Sequence, residues 1–202
     1  MEVDQIAEGL WRWTARHPDW EPDSDWPPEV GCLYYEARDA VVLIDPLVPG
    51  DEDGGERFWR ALDRDVERAG LPLAVLRTVH WHQRSIDDVL ARYGDRGAVA
   101  WTREADALPP AGIEAHDVDR ADETLFWLPE HAALVAGDVL LGTDDGGVRV
   151  CPDSWLPKDA DPAAFRESLR PLLDLPIERV LVSHGEPVLE NGRDALDRAL
   201  RA

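Results

Sequence analysis

The sequence predicts an α/β protein, because short apolar runs alternate with amphipathic helical stretches along the chain. The run AVVLI at residues 40–44 precedes GERFWRALDRDVERAG at residues 55–70, and LAVLRTVH follows at residues 73–80. The second half has the same style, with apolar runs at residues 132–136 and 179–182 and a helical stretch on either side of the latter. Strands and helices that alternate in this way are typical of layered α/β folds.

In the first half, the pieces GLWRW and CLYYEA are predicted strands on either side of a Pro- and Asp-rich linker at residues 17–31. Trp20 and Trp26 lie in this linker, and such aromatics either cover the core or line a pocket. Residues 55–70 are a predicted helix with Phe58, Leu62 and Val66 on one face, and Gly70 is placed to stop it. Ser85 to Tyr93 is a predicted short helix, and AVAWT a strand.

In the second half, a polar stretch at residues 102–123 precedes two predicted strands, TLFWLP and AALVAGD. VRV at residues 148–150 is a further short strand. Asp161 as N-cap and Pro162 at the first position predict the start of a helix. RVLVSHG is a predicted buried strand, and NGRDALDRAL predicts a closing helix.

Composition narrows the range of functions. The 202 residues carry a net charge of −21, and such an acidic surface repels nucleic-acid phosphates. We expect no membrane association and a cytoplasmic location, because no apolar run approaches the length of a membrane span and no signal peptide precedes the first strand. The two cysteines, Cys32 and Cys151, lack metal-type spacing and are expected to be buried, reduced thiols.

Potential metal ligands follow four of the predicted strands. In the stretch TVHWHQRS, alternation along an extended strand places His80 and His82 on one face. Asp45, Asp138 and His184 each end another apolar run. The rim of an α/β sheet is where binding sites are usually found, and imidazole and carboxylate groups together suit zinc or iron.

The order of the motifs LIDP, TVHWH, VAGD and VSHG resembles the metallo-β-lactamase superfamily, and the resemblance covers nearly the whole chain from about Gly9. It implies a four-layered αββα sandwich that forms a single domain over residues 1–202. It also implies a metal site at one edge of the two sheets.

The resemblance assigns roles to individual residues. His80 and His82 match the first two histidines of the motif His-x-His-x-Asp-His, which serve the first metal. Asp138 matches the aspartate that bridges two metals, and His184 matches the histidine that also serves the second. Asp45 matches a position that braces the site.

Two ligands of the second metal are missing, because Arg84 stands at the position of the acid and Ser85 at that of the third histidine. Ser85, with Asp88 three residues on, fits a capping box at the start of a helix. Arg84 stays charged and cannot ligate a metal, so we expect it to pair with Asp138 and to replace the charge of the second cation. The sequence therefore predicts at most one metal ion per chain.

The remaining histidine of the first metal is expected in the loop at residues 112–124. The count back from TLFWLP points to Asp119, while His116 is the only histidine in this loop, and both stay candidates. Glu123 offers a further oxygen donor nearby. His17 and His131 have no motif support and are expected in exposed loops.

Three functions remain open. The first is a hydrolase of an ester, thioester, lactone or amide with one metal ion, in which Asp138 binds the metal or orients water and Arg84 binds an anionic group or the developing oxyanion. The second is an inactive homologue that binds a ligand or partner. The third is a mononuclear non-haem iron enzyme. Zinc is the favoured metal, iron the alternative, and a small molecule the expected partner; the oligomeric state is open.

Overall fold

The computed structural model describes residues 2–101, 108–118 and 122–202, which form two compact units. Unit 1 comprises the described residues of Met1–Arg77 and Trp81–Gly112. Unit 2 comprises those of Thr78–His80 and Ile113–Ala202. Each unit contains strands and helices, which confirms the α/β class. The αββα layering and the single domain stay predictions.

Unit 1 is built on a six-stranded sheet in which the strands follow each other in chain order. The strands are β1 (Glu2–Ala7), β2 (Leu10–Arg16), β3 (Glu29–Glu36), β4 (Val41–Ile44), β5 (Leu73–Leu76) and β6 (Val99–Trp101). Strands β1 to β4 pair antiparallel, whereas β4, β5 and β6 pair parallel. The switch to parallel pairing is possible because helices connect β4 to β5 and β5 to β6.

Helix α1 (Glu52–Ala69) forms as its sequence pattern predicts. Asp51 caps its start, since its carboxylate accepts a hydrogen bond of 2.7 Å from the backbone N–H of Gly54. The helix ends at Gly70, whose φ of 64° is a left-handed conformation that glycine adopts at little cost. The apolar face packs into a core that also includes Trp13, Leu43 and Val75. The second helix, α2 (Ile86–Tyr93), adds Ile86, Val89 and Tyr93 to the same core.

Parallel pairing places the carboxyl ends of β4 and β5 at the same edge of the sheet in unit 1. Ile44 at the end of β4 is paired with Leu76 at the end of β5. Asp45 therefore emerges beside the segment that leads to His82, and the N–H of Asp45 donates to the carbonyl of Leu76 at 3.0 Å. Parallel strands align their carboxyl ends in this way, which is why polar side chains can gather there.

Unit 2 contains a four-stranded sheet in the order β12-β9-β8-β7 and a two-stranded ribbon of β10 and β11. The strands are β7 (Glu114–Val118), β8 (Glu123–Leu128), β9 (Ala133–Ala136), β10 (Leu140–Gly142), β11 (Val148–Val150) and β12 (Arg179–Val182). Strands β9 and β12 are parallel, with Ala136 opposite Val182. Asp138 and His184 each follow two residues after these paired positions.

Two helices cover the apolar residues of unit 2. Helix α3 (Pro162–Ser168) starts where predicted, since the Asp161 carboxylate accepts from the N–H of Ala163 at 3.0 Å. Helix α4 (Gly192–Arg201) closes the chain. Phe165 and Leu196 from these helices are fully buried in one core with Leu134 and Val180 of the sheet.

Three of the described strands were not predicted: β1, β7 and β10. Strand β1 has exposed, largely polar side chains, and β7 lies within the segment predicted to be a loop, with Glu114, Ala115 and Asp117 exposed. Such edge strands pair through their backbone and lack the apolar alternation that marks a strand in a sequence. Among the described residues, no helix is long and apolar enough to cross a membrane.

Candidate metal centre

A buried carboxylate–imidazole pair is the central feature of the site in unit 1. Asp45 is 3% exposed and His82 is 5% exposed, and the Oδ2 of Asp45 lies 2.9 Å from the Nδ1 of His82. Asp45 has a left-handed φ of 48°, a conformation in which aspartate is more common than most residues. This contact with His82 agrees with the bracing role that the resemblance implies for Asp45.

The partners of His82 determine its tautomer. An ionised carboxylate only accepts hydrogen bonds, so the proton of a neutral His82 ring belongs on Nδ1. The Nη2 of Arg84 lies 3.4 Å from Nε2, and a guanidinium only donates. In a neutral ring, both neighbours therefore favour the tautomer with its lone pair on Nε2. Metal-bound histidines commonly have this arrangement, with a carboxylate behind the ring.

Arg84 is held by backbone carbonyls of unit 1. Its Nη1 donates to the carbonyls of Asp45 at 2.9 Å and Gly31 at 3.2 Å, and it lies 3.7 Å from the Sγ of Cys32. These contacts accompany a left-handed φ of 39° at Arg84. They had no signal in the sequence, and the expected pairing of Arg84 with Asp138 stays a prediction.

The thiol beside Arg84 is protonated at neutral pH. Burial raises the pKa of Cys32 to about 11, although the positive charge of Arg84 acts in the opposite direction. A protonated thiol is a poor nucleophile and a poor metal ligand. Both Cys32 and Cys151 are free and buried, as expected from their spacing.

Ser85 is the N-cap residue of α2, but the predicted capping box is wrong. Its side chain makes no capping hydrogen bond to the helix; instead, the Oγ accepts from the N–H of Val48 at 3.0 Å. The N–H of Ser85 donates to the carbonyl of Pro46, also at 3.0 Å. Ser85 therefore attaches the start of the helix to the segment that follows β4.

We expect Ser85→Ala to reduce stability by about 1–2 kcal/mol, because the N–H of Val48 loses its partner in a half-buried position. Thermal unfolding followed by circular dichroism measures this as a melting temperature lower by about 2–8 °C. Asp88→Ala serves as the control, since Asp88 is exposed. A larger decrease in melting temperature for Asp88→Ala than for Ser85→Ala would contradict this account and support the capping box.

The histidines of TVHWHQRS do not lie on a strand, so the prediction that alternation places them on one face is wrong. Strand β5 ends at Leu76, and residues 80–85 form turns. His80 is exposed, and its Nδ1 lies 3.1 Å from the Oδ2 of Asp122 within unit 2. His82 is buried in unit 1, as described above. The turn gives the two rings different surroundings.

A second imidazole–carboxylate pair lies in unit 2. The Nε2 of His184 is 3.2 Å from the Oδ1 of Asp138, and both side chains are largely buried. Trp155 contacts the His184 ring edge-on, with centroids 5.9 Å apart. The parallel alignment of β9 and β12 thus brings together the two residues that the motifs VAGD and VSHG single out.

Glu123 holds the backbone that presents Asp138. One carboxylate oxygen accepts from the N–H of Gly137 at 2.7 Å, and the other accepts from Asp138 at 2.8 Å and Val139 at 3.0 Å. Glu123 is 1% exposed. The sequence suggested it only as an oxygen donor, although an acid at the start of an apolar strand is a signal that it has buried partners.

Gly137 and Gly142 lie so close to neighbouring segments that there is no room for a side chain. A Cβ on Gly137 would lie 2.3 Å from the Oγ1 of Thr78. A Cβ on Gly142 would lie 1.9 Å from the carbonyl oxygen of Glu186, and the N–H of Gly142 donates to the carbonyl of His184 at 2.9 Å. Larger residues at these positions displace the segments that carry Asp138 and His184.

Of the two candidate ligands at residues 112–124, the structure describes His116. His116 lies on β7, half-buried, with its Nε2 3.9 Å from a carboxylate oxygen of Glu114. Within the described part of the chain, His116 belongs to no group of three or more side chains that could hold a metal. Asp119 lies outside the described residues.

A cleft of about 770 Å³ opens in unit 1 beside Arg84 and Ser85. Trp20 and Trp81 are among its lining residues. Trp20 is fixed there because its indole N–H donates to the carbonyl of Trp26 at 2.8 Å. Trp26 itself packs against the core of unit 1. Of the two linker aromatics, Trp20 therefore lines a pocket and Trp26 covers the core.

Comparison with known proteins bears on the fold. No protein-family model matches the chain, and no curated protein matches its sequence. The crystal structure of a metallo-β-lactamase from Hirschia baltica matches with a TM-score of 0.65 and 16% identity, over 99% of this chain and 96% of that chain. An NDM/FIM-1-like metallo-β-lactamase from Erythrobacter litoralis, in its mono-zinc form, matches with a TM-score of 0.64 and 20% identity, over 99% and 94%.

Another metallo-β-lactamase from Erythrobacter litoralis matches with a TM-score of 0.62 and 18% identity, over 98% of this chain and 90% of that chain. These identities are low, but the matches extend over nearly the full length of the chain. The arrangement of strands and helices, and not the sequence alone, therefore identifies the architecture: the chain has the metallo-β-lactamase fold.

Proposed function

We propose that the chain is a hydrolase that uses one metal ion, and that its ligands are His82, Asp138 and His184, which the sequence motifs single out. The observation that carries this proposal is the buried contact of 2.9 Å between Asp45 and His82, which fixes the imidazole in the tautomer that binds metals. A buried carboxylate behind a histidine is otherwise a costly arrangement for an apolar core.

The donor chemistry fits one divalent ion. Two imidazoles and a carboxylate suit zinc in a catalytic site or non-haem iron(II), and zinc is the favoured metal. A second ion does not fit, because Arg84 donates to two carbonyls where the resemblance expects an acidic ligand. His80 is not needed as a ligand in this proposal, since it is exposed and contacts Asp122.

When bound, the metal ion supplies Lewis-acid polarisation of the substrate and lowers the pKa of water toward neutrality. Asp45 orients the His82 ring, and Glu123 positions the backbone of Asp138. The cleft beside Arg84 offers a guanidinium to an anionic group of a small-molecule substrate. The proposed substrate is an ester, thioester, lactone or amide.

A ligand-binding protein without catalysis is the second candidate. The observation that favours it is the 3.4 Å contact between Arg84 and Nε2 of His82, which directs a permanent cation at the atom that a metal needs. In that case the same cleft binds a small anionic molecule and no metal is required.

Elemental analysis of the purified full-length protein separates the two candidates. After incubation with zinc or iron(II), we expect about one metal ion per chain in the wild type and little in His82→Ala, Asp138→Ala or His184→Ala. His116→Ala, the matched control, should keep its metal because His116 belongs to no described group of side chains that could hold one. No metal in the wild type contradicts the hydrolase and leaves the ligand-binding protein.

A further inference from the structure

Nε2 of His82 has a neighbour that competes with any metal ion for its lone pair. We propose that the Arg84 guanidinium and a metal ion exclude each other at this nitrogen, so that metal binding requires Arg84 to leave His82. The inference rests on the proposed function, because it concerns the ligand His82 of that site. In addition to the proposed function, it makes Arg84 a residue of this chain that lowers metal affinity.

The geometry gives the reason for competition. With the proton of the ring on Nδ1, His82 has one lone pair, on Nε2, and the Nη2 of Arg84 lies 3.4 Å from it. A lone pair that accepts from an N–H is not available to a metal. In addition, a guanidinium is a cation, so it repels an approaching metal ion.

Arg84 is placed in this position by its own contacts. The carbonyls of Asp45 and Gly31 hold Nη1, which leaves Nη2 directed at His82. The side chain also opens into the cleft of unit 1, which provides a direction in which it can withdraw. An anion in the cleft attracts the guanidinium, so a negatively charged ligand should promote metal binding at His82.

Zinc titration of the full-length protein tests the competition, with affinity measured against a chromophoric chelator. We expect Arg84→Gly to bind zinc at least about tenfold more tightly than the wild type, since it removes a like charge and a competing donor. Glycine also adopts the φ of 39° at this position without strain. Arg38→Gly is the matched control, because it removes the same charge at an exposed position of unit 1, and its affinity should stay within about twofold of the wild type.

The outcomes are distinct. Tighter zinc binding in Arg84→Gly, without a change in Arg38→Gly, supports the competition. Equal or weaker binding in Arg84→Gly beside a wild type that binds zinc overturns the competition and leaves the proposed function intact. Absence of zinc binding in both proteins overturns both. If Arg84→Gly fails to fold, Arg84→Gln takes its place, because it removes the charge and keeps a polar side chain.

A second readout does not depend on affinity. Nitrogen-15 NMR of the histidine rings distinguishes Nδ1–H from Nε2–H and reports a bound metal as a shift of the ligating nitrogen. We expect the Nδ1–H form of His82 in the metal-free wild type. A protonated Nε2 in that state contradicts the lone-pair competition, since two donors cannot face each other there.

Discussion

Replacement of Glu123 by alanine is expected to lower the free energy of unfolding by about 3–5 kcal/mol. The carboxylate accepts hydrogen bonds from three consecutive backbone N–H groups, those of residues 137 to 139, and the side chain is buried. Each donor that loses its partner without access to water costs about 1–3 kcal/mol. Urea titration followed by tryptophan fluorescence measures the change.

Glu123→Gln gives a sharper test because its shape is unchanged. The amide nitrogen then faces at least one backbone donor, so we expect a smaller loss of about 2 kcal/mol. Glu190→Gln in the same unit is the control, since Glu190 is exposed. If Glu123→Gln unfolds at the same urea concentration as the control, the carboxylate is not what holds this segment.

Asp45→Asn is expected to weaken metal affinity by about 10–100-fold, the usual effect of removing a carboxylate behind a metal-bound histidine. Asparagine tolerates the left-handed φ of 48° and can still accept a hydrogen bond from the Nδ1 of His82. The fold should therefore persist while the ring loses the negative charge that increases its basicity. Zinc titration against a chelator measures the affinity, and circular dichroism checks the fold.

Asp88→Asn is the control for this substitution, because it removes one negative charge from an exposed position of unit 1. We expect it to bind zinc as the wild type does. Equal affinities in Asp45→Asn and Asp88→Asn would mean that Asp45 serves packing and hydrogen bonding only. The proposed function would then lose the observation that carries it.

The sequence predicted those elements that have a strong local pattern. The spacing of Phe58, Leu62 and Val66 and the stop at Gly70 correctly indicated α1, because helix periodicity and caps are properties of neighbouring residues. The motifs singled out Asp138 and His184, and the parallel neighbours β9 and β12 bring these two side chains into contact; their role as metal ligands stays a prediction.

What the sequence did not predict depends on distant contacts. Ser85 bonds Val48, 37 residues away, where the local pattern favoured a capping box. Arg84 bonds Gly31 and Asp45, and its left-handed backbone carries no signal for a residue that is neither glycine nor asparagine. Contacts over such separations follow from the path of the chain, which periodicity does not describe.

The short segment Thr78–His80 belongs to unit 2, although unit 1 supplies the chain on either side of it. The carbonyl of Thr78 accepts a hydrogen bond of 2.8 Å from the N–H of Thr124. Val79 forms an isolated β-bridge with Glu123. A fragment that begins at Ile113 lacks this segment, so Glu123 and Thr124 lose these backbone contacts. During synthesis the segment leaves the ribosome more than forty residues before Glu123 and Thr124, so these contacts form only after that part of the chain has been made. The two units are therefore interleaved in translation order, and neither can be separated by a single cut in the gene.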